Sequence, residues 1–310
     1  MKIKILSVAS IILLLSFVSV VFSQTEGGGG GHAGNPDPTF KPRTKPVVRR
    51  TAPRRIVPKK TTAEYEAEGD SYYSQKDFDS AIAAYESAAK IKPSYHALYR
   101  LGWIYNDRED YDEALRWLGQ ATGLTSNPYD AYVEIGYAYR KLGNANQAMT
   151  AYQKALQYKP SGSSALFGIG DVYFEISKKY DTAGDYYRQG LAIDPDDATA
   201  LYRLGYAYND TGQYTQAIDL LNRSRQLKPD WVINLNELGY AYKQLKRYND
   251  AINVLRQAVA KNNDSELAHY YLGEVYVLIG NRSGANNEYR ELQRLNSDYS
   301  SKLIDLINKM

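Results

Sequence analysis

The sequence has no cysteine and only three histidines among its 310 residues. The lack of cysteine excludes disulfide bonds, thiolate metal sites, cysteine nucleophiles and a lipid-modified N-terminal cysteine. The histidines, His32, His96 and His269, are far apart in the sequence, so a histidine-based metal or catalytic centre has little support. The composition therefore predicts neither a metal site nor a cofactor.

Phenylalanine and tryptophan are also scarce, at 6 and 3 residues, whereas tyrosine is abundant at 30. Hydrophobic residues make up 44% of the chain and charged residues 24%, which is enough apolar surface for a folded core. The charge is uneven: residues 1–23 carry a net charge of +2, residues 24–60 a net charge of +7 and residues 61–310 a net charge of −6. The chain is thus a basic segment joined to an acidic body, and its overall charge of +3 describes neither part.

Residues 1–23 have the pattern of a secretory signal peptide. The basic start MKIK precedes an apolar run of eighteen residues, and Val21-Phe22-Ser23 suits cleavage before Gln24. An apolar run of this length also just spans a bilayer, so an uncleaved N-terminal anchor is the alternative. In both cases we expect the rest of the chain to be exported, to the periplasm or the extracellular side.

Residues 24–60 read as a Gly/Pro-rich, basic, disordered linker. They include five consecutive glycines, and the part from 41 to 60 has nine cationic residues, four prolines and no acidic residue. Such a segment is expected to be extended and unfolded. It could attach the protein to an anionic envelope polymer or lipid, or it could be a soluble spacer. Nucleic acid is disfavoured as a partner for two reasons. An exported protein is separated from the nucleic acid of the cell, and no aromatic residues alternate with the cations of this segment.

One pattern recurs seven times after residue 61, with a spacing of 33–35 residues. Its first mark is a glycine, at Gly69, Gly102, Gly136, Gly170, Gly205, Gly239 and Gly273. A tyrosine follows three residues later, an alanine about twelve residues later, and a large Tyr or Leu four residues after that alanine. These spacings place small and large residues on one face of a helix, and turn-forming residues separate two such helices. Each unit is therefore a helix–turn–helix that buries its apolar face only by stacking on its neighbours.

This pattern resembles the tetratricopeptide repeat (TPR) family, over about seven repeats in 62–297. Repeat 3 reads YDAYVEIGYAYRKLGNANQAMTAYQKALQYKP, with Gly136, Tyr139, Ala148, Tyr152 and Pro160 at the positions of the family's signature residues. The resemblance implies an all-α fold, a right-handed superhelical α-solenoid of helix–turn–helix units whose first helices line a concave groove. Repeat 4 departs from the pattern by one extra residue near Lys178–Lys179.

The two ends of the repeat array have features of their own. Thr61 and Glu64 form a predicted capping box at the start, so the array is expected to occupy 61–297. Residues 298–310 place Tyr299, Leu303, Leu306 and Ile307 on one helical face and are expected to form a C-terminal capping helix.

Within the array, repeat 4 is predicted to be the weakest unit. It contains four glycines, and each glycine inside a helix costs up to about 1 kcal/mol relative to alanine. These are Gly168, Gly170, Gly184 and Gly190.

Positions 5, 9 and 12 of each first helix, counted so that the signature glycine is position 8, point away from the stack. Ten of these 21 residues are aromatic, where the overall content of 13% predicts about three. The excess favours a wall that binds a protein or an extended peptide, with packing between neighbouring first helices as the alternative. The predicted partner-binding residues are Tyr99, Trp103, Tyr137, Arg140, Phe167, Phe174, Tyr202, Tyr206, Asn209, Tyr240 and Lys243.

These observations favour a protein that is not an enzyme, because the repeats and the cap fill 62–310. No repeat has lysine at position 5, so the carboxylate clamp of some TPR proteins is not carried over. The leading hypothesis is an exported interaction scaffold that binds a partner in its aromatic groove. The alternative is a cell-envelope structural protein attached through its basic linker to an anionic polymer or lipid.

Overall fold

The structure is a computed structural model that describes residues 60–310. These residues form fifteen α-helices and no strand, so the predicted all-α solenoid is confirmed. The helices are α1 (Thr62–Ser74), α2 (Phe78–Ile91), α3 (Tyr95–Asp107), α4 (Tyr111–Ala121), α5 (Tyr129–Lys141), α6 (Ala145–Tyr158), α7 (Ser163–Asp171), α8 (Tyr180–Leu191), α9 (Ala198–Asp210), α10 (Tyr214–Leu227), α11 (Val232–Gln244), α12 (Tyr248–Lys261), α13 (Glu266–Leu278), α14 (Arg282–Arg294) and α15 (Tyr299–Ile307). From α1 to α14, each odd-numbered helix is the first helix of a repeat and the next is its second helix. The predicted leader 1–23, and the linker 24–60 apart from Lys60, lie outside the described residues.

The helix ends follow the local sequence. At the start of α1 the Glu64 backbone N–H donates to the Thr61 hydroxyl at 3.3 Å, and the Thr61 backbone N–H donates to the Glu64 carboxylate at 2.7 Å. This is the predicted capping box, which satisfies two N–H groups that have no partner within the helix. Prolines come two to four residues after the ends of four second helices, where they cannot continue the helix. They are Pro93, Pro160, Pro195 and Pro229.

The turn between the two helices of a repeat closes in the same way in all seven repeats. It contains one residue with φ between 54° and 75°, which is glycine in three repeats and Lys or Glu in the others. The backbone N–H of the following residue donates to the carbonyl of the signature tyrosine, as Asn144 does to Tyr139 at 2.8 Å. This left-handed closure satisfies carbonyls at the end of the first helix.

Repeat 4 keeps this turn despite its extra residue. Residues Val172–Ser177, directly after α7, form a π-helical segment, which takes up one residue more than an α-helical turn. The left-handed residue of this turn, Lys178, therefore comes eight residues after the signature glycine Gly170. In the other six repeats the left-handed residue comes seven residues after the signature glycine. The Lys179 N–H still donates to the carbonyl of Tyr173, at 3.0 Å. The insertion is thus absorbed inside the first helix, before the turn.

The two helices of each repeat meet where the signature glycine faces a large side chain. A Cβ atom placed on any of the seven signature glycines would lie 2.3–2.8 Å from a Tyr or Leu side chain, closer than real contacts allow. In repeats 1 to 6 that side chain is the predicted large residue of the second helix, such as Tyr152 facing Gly136. In repeat 7 the nearest atoms belong to Leu303 of α15, which is fully buried together with Ile307. The last helix therefore packs over the end of the stack.

Successive helices pack against each other along the chain, and first helices also contact the first helix of the next repeat. Such contacts join α3 to α5, α5 to α7, α9 to α11 and α11 to α13. Side-chain contacts bridge the remaining neighbours, with Tyr73 5.4 Å from Trp103 and Phe174 5.0 Å from Tyr206 between ring centres. We call the surface formed by the first helices the first-helix wall. Within 60–310, no helix combines the length and the hydropathy needed to cross a bilayer.

Repeat 4 should exchange its amide hydrogens faster than its neighbours. Its first helix is only nine residues long before the π-helical segment, and its helices contain four glycines, each of which lowers helix stability by up to about 1 kcal/mol. We expect hydrogen–deuterium exchange in residues 163–195 to exceed that in repeats 3 and 5 under native conditions. Equal protection across the three repeats would contradict this expectation.

Candidate partner-binding groove

All the predicted partner-binding residues lie on the first-helix wall, on α3, α5, α7, α9, α11 and the π-helical segment. Three of their rings are tied to packing contacts within the stack. The Phe167 ring fills the space above Gly190, where a Cβ atom would lie 2.2 Å from it. Tyr99 stacks on Tyr95 with centroids 5.7 Å apart, and Tyr202 packs on Trp231 at 4.6 Å. Burial raises the pKa of both tyrosines. For these rings the packing interpretation has direct support.

Other predicted rings are brought together across neighbouring repeats. Phe174 lies 5.0 Å from Tyr206 and 5.1 Å from Tyr180, with edge-to-face geometry in both pairs. Tyr240 lies 5.4 Å from Tyr271, a residue that sequence reasoning did not select. Such clusters hold large rings in fixed positions, so a partner that contacts them meets a preorganised aromatic surface.

Arg140, one of the predicted residues, belongs to a buried ionic network that spans repeats 3 to 5. Its side chain donates to Glu175 and lies 3.5 Å from Asp171, while Arg203 is paired with the same two carboxylates. Arg140 is only 8% exposed. Burial, together with the charge of Arg140, lowers the pKa of Arg203 to about 10, so both guanidinium groups stay charged at neutral pH. The network therefore links repeats 3 to 5, and its cations are already paired.

Two further cations of the wall are also held by carboxylates of a neighbouring repeat. Lys243 donates to Glu274 at 2.5 Å and lies 5.0 Å from the centre of the Tyr240 ring. Arg100 lies 3.9 Å from Asp70 and covers the ring of Tyr73. Arg100, Arg140, Arg203 and Lys243 are thus each paired with a carboxylate of their own chain.

Two carboxylates of the wall, those of Glu134 and Glu237, are hydrogen-bonded to an asparagine and not paired with a cation. Asn106 donates through Nδ2 to the Glu134 carboxylate at 2.9 Å, and Asn209 donates in the same way to Glu237 at 3.0 Å. Each Asn also donates to the backbone carbonyl of the same glutamate, at 3.1 and 3.0 Å. Among the residues that the structure describes, neither carboxylate has a Lys, Arg or His nitrogen within 4.0 Å. Burial raises the pKa of both glutamates, and the hydrogen bond from the asparagine opposes this in part.

Each of these Asn–Glu pairs lines a small hollow, and we call the two hollows the acidic pockets. The first, between repeats 2 and 3, has a volume of about 160 Å³ and is lined by Trp103, Asn106, Asp107, Glu134 and Tyr137. The second, between repeats 5 and 6, has a volume of about 180 Å³ and is lined by Tyr206, Asn209, Asp210, Glu237, Tyr240 and Tyr271. The five residues that line the first pocket and the first five residues named for the second occupy the same positions of their repeats, three repeats apart. In both pockets the Asn Oδ1 atom is buried and accepts no hydrogen bond.

Sequence reasoning missed the acidic residues of these pockets. Glu134 and Glu237 are at position 6 of their first helices, outside the aromatic-rich positions 5, 9 and 12. A sequence signal does exist, because Tyr-Asn-Asp at 105–107 and at 208–210 each precede a repeat with Glu two residues before its signature glycine. Two larger hollows differ from the acidic pockets, and the one of about 400 Å³ between repeats 6 and 7 has Arg256 in its lining beside Glu288. The one of about 370 Å³ between α5 and α6 has no carboxylate in its lining.

Comparisons with known proteins agree with this architecture. Two family models described as "Tetratricopeptide repeat" match residues 66–131 and 176–238, and one described as "TPR repeat" matches residues 136–177 and 239–280. A curated relative, the cell division cycle protein 16 homolog of Mus musculus, is 29% identical over 184 residues, which are 54% of this chain and 29% of that protein. The chain thus spans less than a third of that relative.

Solved structures share the fold at low sequence identity. One described as the functional characterisation of Pseudomonas aeruginosa pilF has a TM-score of 0.60 and 17% identity, over 68% of this chain and 96% of that one. Another is described as YrrB, a TPR protein with an unusual peptide-binding site, with a TM-score of 0.56 and 19% identity, over 62% of this chain and 98% of that one. These similarities show the fold alone.

The buried glutamates should make the folded state less stable at neutral pH than at mildly acidic pH. A folded-state pKa above the ordinary value of 4.5 means that the folded protein binds more protons than the unfolded chain, so their contribution to stability is present below pH 4.5 and is lost as pH rises through the folded-state pKa. Each pKa unit corresponds to about 1.4 kcal/mol. The double variant Glu134→Gln/Glu237→Gln should therefore be more stable than the wild type at pH 7, with a difference that shrinks towards pH 4.5.

Urea unfolding from pH 4.5 to 7.5 measures this difference. The matched control is Asp112→Asn/Asp219→Asn, which removes the same charge from exposed positions on the second helices α4 and α10. It should show no comparable gain at pH 7. A glutamine variant that is no more stable than the wild type at any pH would contradict the cost assigned to the buried charges.

Proposed function

Because this chain belongs to the tetratricopeptide repeat family, we propose that it is a non-enzymatic scaffold that binds a partner protein or extended peptide along its first-helix wall. The observation that carries the proposal is the row of aromatic and polar side chains that this wall presents in register, from Trp103 in repeat 2 to Tyr271 in repeat 7. Seven helix pairs and one further helix account for residues 62–307, which supports a role in binding and not in catalysis.

The wall offers the two kinds of contact that peptide recognition requires. Tyr137, Tyr206 and Tyr240 are half-buried, so each presents an apolar ring edge and a polar hydroxyl while its base is fixed by packing. Rings fixed in this way lose little conformational entropy on binding and contribute large contact areas. The polar pockets between the rings add directional contacts. An extended segment can use both, since its alternate side chains point to opposite sides.

Replacing two rings of the wall tests this proposal. We expect the full chain with Tyr206→Ala/Tyr240→Ala to lose the partner that the wild type retains in affinity capture followed by mass spectrometry. The control is Tyr158→Ala, which removes a ring that is 46% exposed on the second helix α6. Circular dichroism should show the same helical content in all three proteins.

A partner retained by the wild type and by Tyr158→Ala but lost by the wall variant supports the groove. Retention of the same partners by the wall variant would refute it.

The export of this protein and the role of its basic segment form a further part of the proposal. We propose that residues 1–23 direct the chain to the periplasm or the extracellular side, as a cleaved signal or as an anchor. The alternative to the scaffold function is that residues 41–60 attach the protein to an anionic envelope polymer or lipid. The nine cations and the lack of acidic residues in that segment favour this alternative.

Co-sedimentation with vesicles of phosphatidylglycerol and phosphatidylcholine tests the attachment. If the basic segment is responsible, binding should be lost on deletion of residues 41–60 and at about 0.5 M salt, where charges are screened within a few ångströms. The control is the same chain with vesicles of phosphatidylcholine alone. Binding that survives both the deletion and the salt would contradict attachment through this segment.

A further inference from the structure

The charges of the first-helix wall are unevenly paired. Arg100, Arg140, Arg203 and Lys243 each lie within 4.0 Å of a carboxylate of another repeat. Glu134, which is half-buried, and Glu237, which is only 8% exposed, have no such cation within the described residues. A buried charge without a partner is costly, and proteins tolerate such a cost mostly where it serves a function. These two glutamates are therefore the polar groups of the wall that most need a partner from outside the chain.

The chemistry of the acidic pockets indicates what that partner carries. In the first pocket the Asn106 Nδ2 donor is already used on Glu134, so the charged and acceptor groups of the lining are the Glu134 carboxylate, the exposed carboxylate of Asp107 and the buried Asn106 Oδ1, while Trp103 and Tyr137 add neutral N–H and O–H groups. The second pocket repeats this arrangement with Asn209, Asp210 and Glu237. Flipping either amide would turn its oxygen towards a carbonyl and a carboxylate, so the hydrogen bonds fix its orientation. The Trp and Tyr groups of the linings are neutral, so the two carboxylates set the charge of each pocket, which attracts a cation and repels an anion.

The size and the rings of the pockets favour an organic cation. Volumes of about 160 and 180 Å³ are below the range of ligand cavities for small molecules but large enough for the end of one side chain. Within residues 60–310, no group of three His, Cys, Asp or Glu side chains could hold a metal ion. The ring of Tyr240 already has the Lys243 ammonium 5.0 Å from its centre, and Tyr137 has the Arg140 guanidinium at 5.3 Å. Rings of this kind stabilise a nearby ammonium or guanidinium group.

We propose that each acidic pocket binds the ammonium or guanidinium group of one Lys or Arg side chain of an extended partner segment. This inference rests on the proposed function and names the class of partner: a segment with at least two basic residues. Because equivalent pockets occur three repeats apart on one wall, two basic side chains of the same segment bind together. Linking two weak contacts in this way raises the affinity of the whole segment well above that of either contact.

The test uses the full chain and a fluorescent 20-residue peptide of alternating Lys and Ser, which presents a cation in every register. Binding is followed by fluorescence anisotropy at 0.15 M salt. We expect Glu134→Gln/Glu237→Gln to weaken binding by at least about tenfold, because a charge pair that is shielded from water is lost. The control Asp112→Asn/Asp219→Asn has the same net charge and should stay within about twofold of the wild type. A peptide with acetylated lysines, which has lost its charge, should also bind at least about tenfold more weakly.

Three results would overturn the proposal. These are no binding of the lysine peptide to the wild type, equal weakening by the pocket variant and its surface control, and equal affinity for the acetylated peptide. Glutamine still accepts the hydrogen bond from the asparagine, so the pocket variant is expected to fold, and circular dichroism verifies this. The outcome is separable from that of the scaffold proposal. If Tyr206→Ala/Tyr240→Ala abolishes capture of the partner while the glutamine variant keeps full affinity for the peptide, only the cation pockets are refuted.

Discussion

The close approach of a glycine to a large side chain within each repeat is the contact on which the rest of the structure depends. With no Cβ atom on the signature glycine, a Tyr or Leu side chain of the second helix fills the space between the two helices in repeats 1 to 6. Repetition of one contact gives every hairpin the same geometry, so the hairpins stack and their first helices align as one wall. At the C-terminal end, Leu303 makes this contact from α15 and covers the last hairpin.

The wall combines a fixed centre with two open sites. In the centre, Arg140 and Arg203 share the carboxylates of Asp171 and Glu175 and join repeats 3 to 5, across the repeat that carries the π-helical segment. Removing one charged side chain from such a buried network is strongly destabilising, because a charge of opposite sign is then left buried without a partner. On either side lie the acidic pockets, where the chain leaves carboxylates without cations. The same type of residue, a buried charge on a first helix, thus holds the stack together in one place and is available to a partner in two others.

The sequence alone was sufficient to predict the number of repeats, the helix pairs, the capping box at Thr61 and the buried face of the last helix. All of these depend on spacings within one repeat or on neighbouring residues. Contacts between repeats were harder to predict. The Asn106–Glu134 bond joins residues 28 positions apart, and the pairing of Arg140 with Glu175 joins residues 35 apart, so both depend on the register in which helices of neighbouring repeats meet. The same limit applies to repeat 7, where the repeat pattern points to Tyr289, four residues after Ala285, as the large residue, whereas Leu303 lies nearest to Gly273.

The unfolding free energy of Gly136→Ala, compared with that of Gly119→Ala, tests the central contact most directly. A Cβ atom at position 136 would lie 2.6 Å from the Tyr152 ring, whereas at the exposed position 119 of α4 it meets nothing within 4 Å. The account predicts that Gly136→Ala destabilises the protein by about 1–3 kcal/mol through overpacking, and that Gly119→Ala stabilises it by up to about 1 kcal/mol through helix propensity. Equal stabilisation by the two substitutions would contradict the role assigned to the glycine contact.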